Sequence, residues 1–367
     1  MPSAGEHSEC RSESGQRWAH RCPRIIVRLH SWRDRHETSP PKKFLHLAAG
    51  AAALPAVSQI ANAQPYPSRP ITMIVPFPAG GGTDVTARIV SEHMSRTLGQ
   101  SIIIENITGA GGTTGSTRAM HANPDGYTIE MGQMGTHATA VALYPNLAYK
   151  PDIDFAPIGL VMSVPVMIVA RKDFPSKDLK ELVAHVKASA QKLNIAHAGV
   201  GSIGFSCGLL FNSIIGVKPT SVPFNGAGPA MNALIGGQVD YMRDGGINNS
   251  VPHVQSGTIK AYAIGSEHRS PVLPNVPTSK EAGLPEFQVS GWLALFAPKG
   301  TPKPILDKLT DALDKALDDD SSRKRLLDLG TEIPDQASRG QQPLAALVKS
   351  EIARWTPIIK AANVKAE

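Results

Sequence analysis

The feature that most constrains this chain is an alternation: short apolar stretches run into glycine-rich loops, and the loops open stretches of helical period. ITMIV (Ile71–Val75) reads as a strand, and PFPAGGGTD follows as a loop. A helix is predicted over 86–98, with Val90, Met94 and Leu98 four apart and Gly99 where a left-handed residue ends a helix. SIIIEN is a second strand, TGAGG a second loop, and 113–122 a second helix. NPDG (123–126) has turn chemistry, and TIEM is a third strand. A βαβαβ order of this kind requires parallel strands with helices packed on the sheet faces.

The pattern restarts downstream. PVMIVA, LNIAHA, SVPF, 239–242 and KAYAIG read as strands. They are separated by helices predicted from a Ser176 cap to Ala190, over 202–215 and over 227–235. Thr301 and Pro302 look like a cap and first-turn proline before a helix with Leu306, Leu309, Leu313 and Leu317 on one stripe. A last helix over 343–359 carries Leu347, Ile352 and Trp355. Two α/β units with a helical tail is the expected architecture, and periodicity alone does not say which unit the tail joins.

The net charge of +6 over 367 residues is unevenly placed. Residues 1–63 hold nine Lys/Arg against five acids, whereas the rest holds 28 against 26, so no basic face for nucleic acid is expected. After Lys42 and Lys43 comes an uncharged run of 14 residues, FLHLAAGAAALPAV, followed by Ala61-Asn62-Ala63. Basic flank, short apolar stretch and small-x-small site are the parts of a secretory signal peptide, with cleavage expected between 63 and 64. The run is shorter than the roughly 20 residues a spanning helix needs. SPPKKFLHL has the shape of a twin-arginine signal but carries lysines, so either export route fits. Residues 1–38 read as an unstructured extension or as the product of a start codon placed too far upstream. Cys10 and Cys22 fall in this discarded part and Cys207 stands alone, so no disulfide framework is expected.

Chemistry is concentrated in the loops. Ala79, Gly80, Gly81 and Thr83 lie between a strand and a helix, where free N–H groups attract an anion, and Asp84 is a candidate cap. The loop is not a P-loop, because the GK[ST] ending is absent. Gly109-Ala110-Gly111-Gly112 has the same setting after the next strand. Loops at the carboxyl ends of neighbouring parallel strands share one sheet edge, where open α/β sheets bind ligands. Gly199, Gly201 and Gly204 match G-x-G-x-x-G, but the acid that a dinucleotide ribose requires is missing: the next strand ends in Phe224-Asn225. Gly204-Phe205-Ser206-Cys207-Gly208 matches a nucleophile elbow, and a secreted serine hydrolase using Ser206 is the alternative reading, with Asp240 or Asp244 and His253 or His268 as its partners. The apparent strand stops several residues too early for that elbow, which places Ser206 inside a helix. The histidines show no metal-ligand spacing. His137, in the loop after TIEM, either donates to a ligand carboxylate or is an exposed loop histidine.

YPSRPITMIVPFPAGGGTD, GQSIIIENITGAGG, NPDGYTIEMG, YKPDIDFAPIG, PFNGAGPAMNALIGGQVDYM, RSPVLPNVPTSKEAGLPEF and GWLALFAPKGTP together resemble the tripartite tricarboxylate transporter substrate-binding family, the Bug receptors, from about Tyr66 to the end. The resemblance implies a two-domain periplasmic-binding-protein fold, type II-like, that closes on its ligand like a Venus flytrap. Residues 64–168 with 288–367 would form domain 1 and 169–287 domain 2. It implies a receptor in the periplasm of a Gram-negative bacterium, not an enzyme and without a cofactor or metal, acting as a monomer. The implied ligand is a small carboxylate (a di- or tricarboxylate, an acidic amino acid or an aromatic acid) and the implied partners are the transporter's membrane subunits. By resemblance, the loop from Phe77 through Ala79, Gly80, Gly81 and Thr83 to Asp84 grips one carboxylate together with Gly111. Gln133, Thr136, His137, Gly199, Gly201, Ser202, Gly226 and Asp244 complete the implied site. Where many members have a phenylalanine before the aspartate, this chain has Arg243, which either pairs with a second carboxylate or lies on the surface.

Overall fold

The computed structural model describes residues 65–366; the expected leader and Cys10 and Cys22 lie outside the described residues. The first unit runs β1 (Ile71–Val75), α1 (Gly82–Leu98), β2 (Ile102–Asn106), α2 (Thr113–Met120) and β3 (Thr128–Gln133). A π-helical turn, Gly135–Thr139, leads into the short α3 (Ala140–Leu143) and α4 (Pro151–Asp154), and then β4 (Phe155–Pro165). The second unit runs β5 (Met167–Arg171), α5 (Leu179–Ser189), β6 (Asn194–His197), α6 (Ile203–Ile215), β7 (Thr220–Pro223), α7 (Ala227–Ile235), β8 (Tyr241–Asp244), α8 (Ile247–Gln255) and β9 (Ile259–Ile264). β10 (Ser290–Pro298), α9 (Lys303–Asp318), α10 (Asp320–Asp328) and α11 (Gln341–Ala362) complete the chain.

Two five-stranded sheets result, with the same topology. The first has the order β2-β1-β3-β10-β4, and the second β7-β6-β8-β5-β9. In each, three strands are parallel: β2, β1 and β3 in one, β7, β6 and β8 in the other. The fourth is antiparallel to both neighbours and is the strand that has just crossed from the other sheet, β10 in the first and β5 in the second. The continuous apolar run expected of a strand covered on both faces is present in β1, where Ile71, Met73, Ile74 and Val75 are all fully buried.

The tail joins the first sheet. α9 packs on α1 and β4, and its stripe of Leu306, Leu309, Leu313 and Leu317 is buried, each side chain contributing roughly 1.5–3 kcal/mol. α11 lies on β4 and on the Gly135–Thr139 turn, and also touches α6 of the second unit. Its buried line is Leu344, Val348, Trp355 and Ile359, while Leu347 and Ile352 are half-buried at its edges. The Trp355 indole N–H donates to Glu351, 2.9 Å away, so the largest buried side chain leaves no polar atom unpaired.

Several local expectations are corrected. α1 starts at Gly82, not 86, with Gly81 as its cap residue, so Asp84 sits inside the first turn. α5 is capped by Asp178, whose side chain accepts from the Glu181 N–H, and not by Ser176. Pro302 is the cap residue of α9, and the Thr301 hydroxyl turns back to the Pro298 carbonyl. β8 lies two residues later than 239–242, which makes Arg243 and Asp244 strand residues.

Three chain segments cross between the lobes side by side. The Gly265 N–H donates to the Val166 carbonyl and the Val289 N–H to the Gly265 carbonyl, both at 2.8 Å. A Cβ on Gly265 would lie 2.5 Å from the Val289 oxygen, so only glycine permits this approach. The lobes also meet away from the crossing. A Cβ on Gly135 would overlap the Gly201 carbonyl oxygen, and one on Gly111 the Val200 carbonyl oxygen. Gly111 has a left-handed φ of 63°, so a substitution there is strained in any case, but Gly135 is helical and free of that penalty. Gly135→Ala is therefore expected to leave the circular dichroism spectrum unchanged while holding the lobes apart, seen as an increased radius of gyration in small-angle scattering. An unchanged radius would show that this contact does not limit closure.

Candidate functional site

Parallel βα units place every loop after a strand at the same sheet edge, and the edges of the two lobes face each other across a cavity of about 420 Å³. The first lobe lines it with the loop after β1, from Phe77 to Thr83, and with Gln133 at the end of β3. The second lobe contributes Ser202, Ile203 and Gly204 after β6, Asn225 to Pro229 after β7, and Arg243 to Gly246 at the end of β8 and just beyond it. Val164 and Leu293, beside the crossing, close the back.

α1, α6 and α7 begin at this cavity, and Gly246, the cap residue of α8, also lines it. The first amides of a helix have no carbonyl partner within it and carry the positive end of its dipole. In α1 these amides belong to Gly82 and Thr83, in α6 to Ile203 and Gly204, and in α7 to Ala227 and Gly228; all six residues line the cavity. Ser202 caps α6: its hydroxyl oxygen accepts from the Phe205 N–H at 3.2 Å, which leaves its own proton to donate. Among the lining residues no lysine occurs, and the charged groups are Arg243 and Asp244.

Of the expected site residues, the structure brings Phe77, Ala79, Gly80, Gly81, Thr83, Gln133, Ser202, Gly226 and Asp244 onto the cavity. Asp84 is not among the lining. Its carboxylate is buried and accepts from the Gly80 N–H (2.8 Å), Arg88 Nε (2.9 Å) and Nη2 (3.0 Å) and Asn106 Nδ2 (2.9 Å). Burial pushes its pKa up, but the bonds from Arg88, Gly80 and Asn106 outweigh this and hold it below the ordinary value. Asp84 thus folds the PFPAGGG loop back on itself and fixes the direction in which its remaining amides point. Gly111, Gly199 and Gly201 also stand outside the lining. Gly111 and Gly201 face each other where the lobes touch, and the backbone at Gly199 has a φ of 105° that favours glycine.

Thr136 and His137 are fully buried, which corrects the alternative of an exposed loop histidine. Thr136 Oγ1 both accepts from the Gln133 N–H and donates to the Gln133 carbonyl, at 3.1 Å, and lies 2.9 Å from His137 Nδ1. The His137 ring stacks on Phe296 with centroids 3.8 Å apart. These residues hold Gln133 at the cavity from behind. Asp244 accepts from the Ser250 hydroxyl and the Gly246 N–H, and burial, opposed by those bonds, raises its pKa to about 6. Ser206 is buried in α6 and donates to Thr139 Oγ1 at 3.1 Å; no histidine or acid is bonded to it, which overturns the hydrolase alternative. Among the described residues no three His, Cys, Asp or Glu side chains gather as metal ligands. Asn225, Gly228, Leu329 and Thr331 line the cavity without having been expected. Asn225, in the loop after β7, and Gly228, in the first turn of α7, belong to another unit of the same strand–loop–helix type, so the repeat itself was the available signal. Leu329 and Thr331 come from the tail and carried none.

A buried acid lies behind the site. Glu130 accepts from the Ser116 hydroxyl at 2.6 Å, and its other oxygen, without a hydrogen-bond partner, is 3.9 Å from the equally unpartnered His137 Nε2. Burial raises the Glu130 pKa to about 8, against the opposing Ser116 bond, and lowers that of His137 to about 3, so both are neutral near pH 7. The two act in opposite directions. Stability from Glu130 is complete below its unfolded value near 4.5 and is lost as pH rises through 8. Stability from His137 is complete above 6.5 and is lost as pH falls through 3. Between pH 6.5 and 8 only Glu130 changes, at a slope of at most about 1.4 kcal/mol per pH unit. The melting temperature is expected to fall by a few degrees over that interval in the wild type and not in Glu130→Gln; parallel curves for the two proteins would contradict this.

Residues 86–364 match the family described as "Tripartite tricarboxylate transporter family receptor". A protein of Agrobacterium vitis, from the TAR-I ttuE-ttuC' intergenic region, is 42% identical over 321 residues, which are 88% of this chain and 92% of that protein. Among solved structures, MatC from Rhodopseudomonas palustris with bound malate is 51% identical with a TM-score of 0.76, covering 80% of this chain and 100% of that one. The periplasmic binding protein BugD is 43% identical, also with a TM-score of 0.76, covering 82% of this chain and 100% of its own. The paired α/β sheets are those of the two-lobed periplasmic-binding-protein fold, and the chain belongs to the receptor family of tripartite tricarboxylate transporters, which bind solutes and do not transform them.

Proposed function

We propose that this chain is a periplasmic receptor for a small dicarboxylate, delivered to the membrane subunits of a tripartite tricarboxylate-type transporter. The observation that carries the reading is the convergence of helix starts from both lobes on one cavity lacking lysine. α1 offers unbonded amides on one side, and α6 and α7 offer them on the other. A ligand with an anionic group at each end satisfies both sides at once; a singly charged acid leaves one set unpaired. Each charge-assisted bond contributes roughly 1.5–3 kcal/mol net, and donors left buried without a partner cost a comparable amount. The cavity is roomy enough for a short diacid with bridging waters. The malate bound by MatC, a relative sharing 51% of its residues, has this chemistry.

In this reading Thr83, Gln133, Ser202 and Asn225 orient the ligand, and the lobes are 64–168 with 288–367 and 169–287, hinged where Val166, Gly265 and Val289 cross. The receptor works as a monomer, exported by the segment ending near residue 63. Closure excludes water from the amide-lined cavity and strengthens its electrostatics.

The test is a thermal-shift screen of protein stripped of co-purified ligand, followed by calorimetry. It compares malate, succinate, citrate, aspartate and an aromatic acid with a neutral diamide. A ligand that binds only the folded state stabilises it by about 2.7 kcal/mol at a hundredfold excess over Kd, here a shift of several degrees. The proposal expects a saturable shift with a four-carbon diacid and none with the diamide. No shift with any acid, in protein shown to be folded, would overturn it.

A further inference from the structure

Arg243 is the anomaly of the second lobe. It is 4% exposed, and its Nε and Nη1 have no hydrogen-bond partner. Its neighbour on β8, Asp244, gives its carboxylate to Ser250 and Gly246 instead. The guanidinium rests against aromatic rings, with Cζ 5.5 Å from the Tyr241 centroid and 5.8 Å from that of Phe211. Room for it exists because α6 carries glycine at 208: a Cβ there would lie 2.8 Å from Cζ. Aromatic faces attract a cation but do not neutralise it, and a buried charge without a counter-ion is among the costliest arrangements in a folded protein.

A charge retained at such cost beside a cavity calls for a partner that arrives later. Arg243 lines the cavity, between the starts of α6 and α8. Its backbone carbonyl faces Gly204 in the first turn of α6, and its guanidinium lies against Gly208, one turn further along the same helix. Its field adds to that of the helix start. His197, at the end of β6, feels it: burial chiefly, and the Arg243 charge in addition, lower its pKa to about 4, so the guanidinium is the one cationic side chain on this side of the cavity.

We infer that Arg243 is the charge-selecting residue of this receptor: its unpaired guanidinium is the counter-charge for the ligand carboxylate held by the second lobe, and it sets the preference for doubly over singly charged acids. The inference rests on the dicarboxylate reading above.

Calorimetric titrations of wild type, Arg243→Gln and Arg243→Lys with succinate, malate and the singly charged butyrate and lactate test it. Arg243→Gln is expected to weaken the diacids by about tenfold or more while changing the monoacids less than about threefold. Arg243→Lys, which keeps the charge but not the reach, should fall between. A second readout needs no ligand. Removing an uncompensated buried charge should raise the melting temperature of the unliganded protein in Arg243→Met, whereas a purely structural arginine would lower it. Diacid affinity unchanged in Arg243→Gln, or equal losses for diacids and monoacids, would overturn the inference while leaving the receptor reading in place. If the wild type binds no diacid, the reading itself fails and the inference with it. If Arg243→Gln does not fold, the Arg243→Lys titration and the Arg243→Met melting curve decide.

Discussion

The unbonded amides at the starts of α1, α6 and α7 are the constraint on which the rest of the structure depends. A helix cannot satisfy its own first N–H groups, and a parallel βα unit delivers them to the carboxyl edge of its sheet. Two lobes of identical topology, facing each other edge to edge, therefore bring helix starts of the same polarity together. Left in water these donors are hydrated; enclosed without an anion they are a penalty. The charge that the cavity requires of its occupant follows from the backbone, before any side chain is considered.

Side chains then refine the arrangement. Asp84 carries a negative charge into the first turn of α1, where it would repel an anion, but four donors from Gly80, Arg88 and Asn106 absorb its oxygens. The loop is thereby shaped at no cost to the cavity. Thr136 and His137 do similar work for Gln133 from inside the first lobe. Gly111, Gly135 and Gly201 let backbone meet backbone where the lobes touch, and Gly265 does so where they cross. Residues that look like a binding motif thus divide into those that meet the cavity and those that let it close.

Much of this was legible in the sequence, for identifiable reasons. β1, β2 and β3 are apolar runs bounded by glycine loops, and the loop after β1 and Gln133 at the end of β3 are where the first lobe meets the cavity. Side-chain direction was less accessible. Thr136 and His137 belong to a π-helical turn that buries them, and no period of 3.6 or 2 signals such a turn. Gly111 and Gly201 read as ligand-facing because a glycine needed for close backbone approach has the same one-letter signature whichever backbone approaches. Arg243 was ambiguous between cleft and surface because its strand starts two residues later than the apolar pattern suggests; in the fold it borders the cavity with its side chain buried against α6. The tail's leucine stripe gave α9 its buried face, yet only the insertion of β10 between β3 and β4 shows which sheet it serves.

The most direct test of the account is the position of the ligand's carboxylate oxygens in a crystal structure of the protein with a bound diacid. One carboxylate within hydrogen-bond distance of the Gly82 and Thr83 amides, and the other within reach of the α6 or α7 amides, is the predicted result. A diacid held only by side chains, with those amides bonded elsewhere, would contradict the claim that helix starts from both lobes define this site.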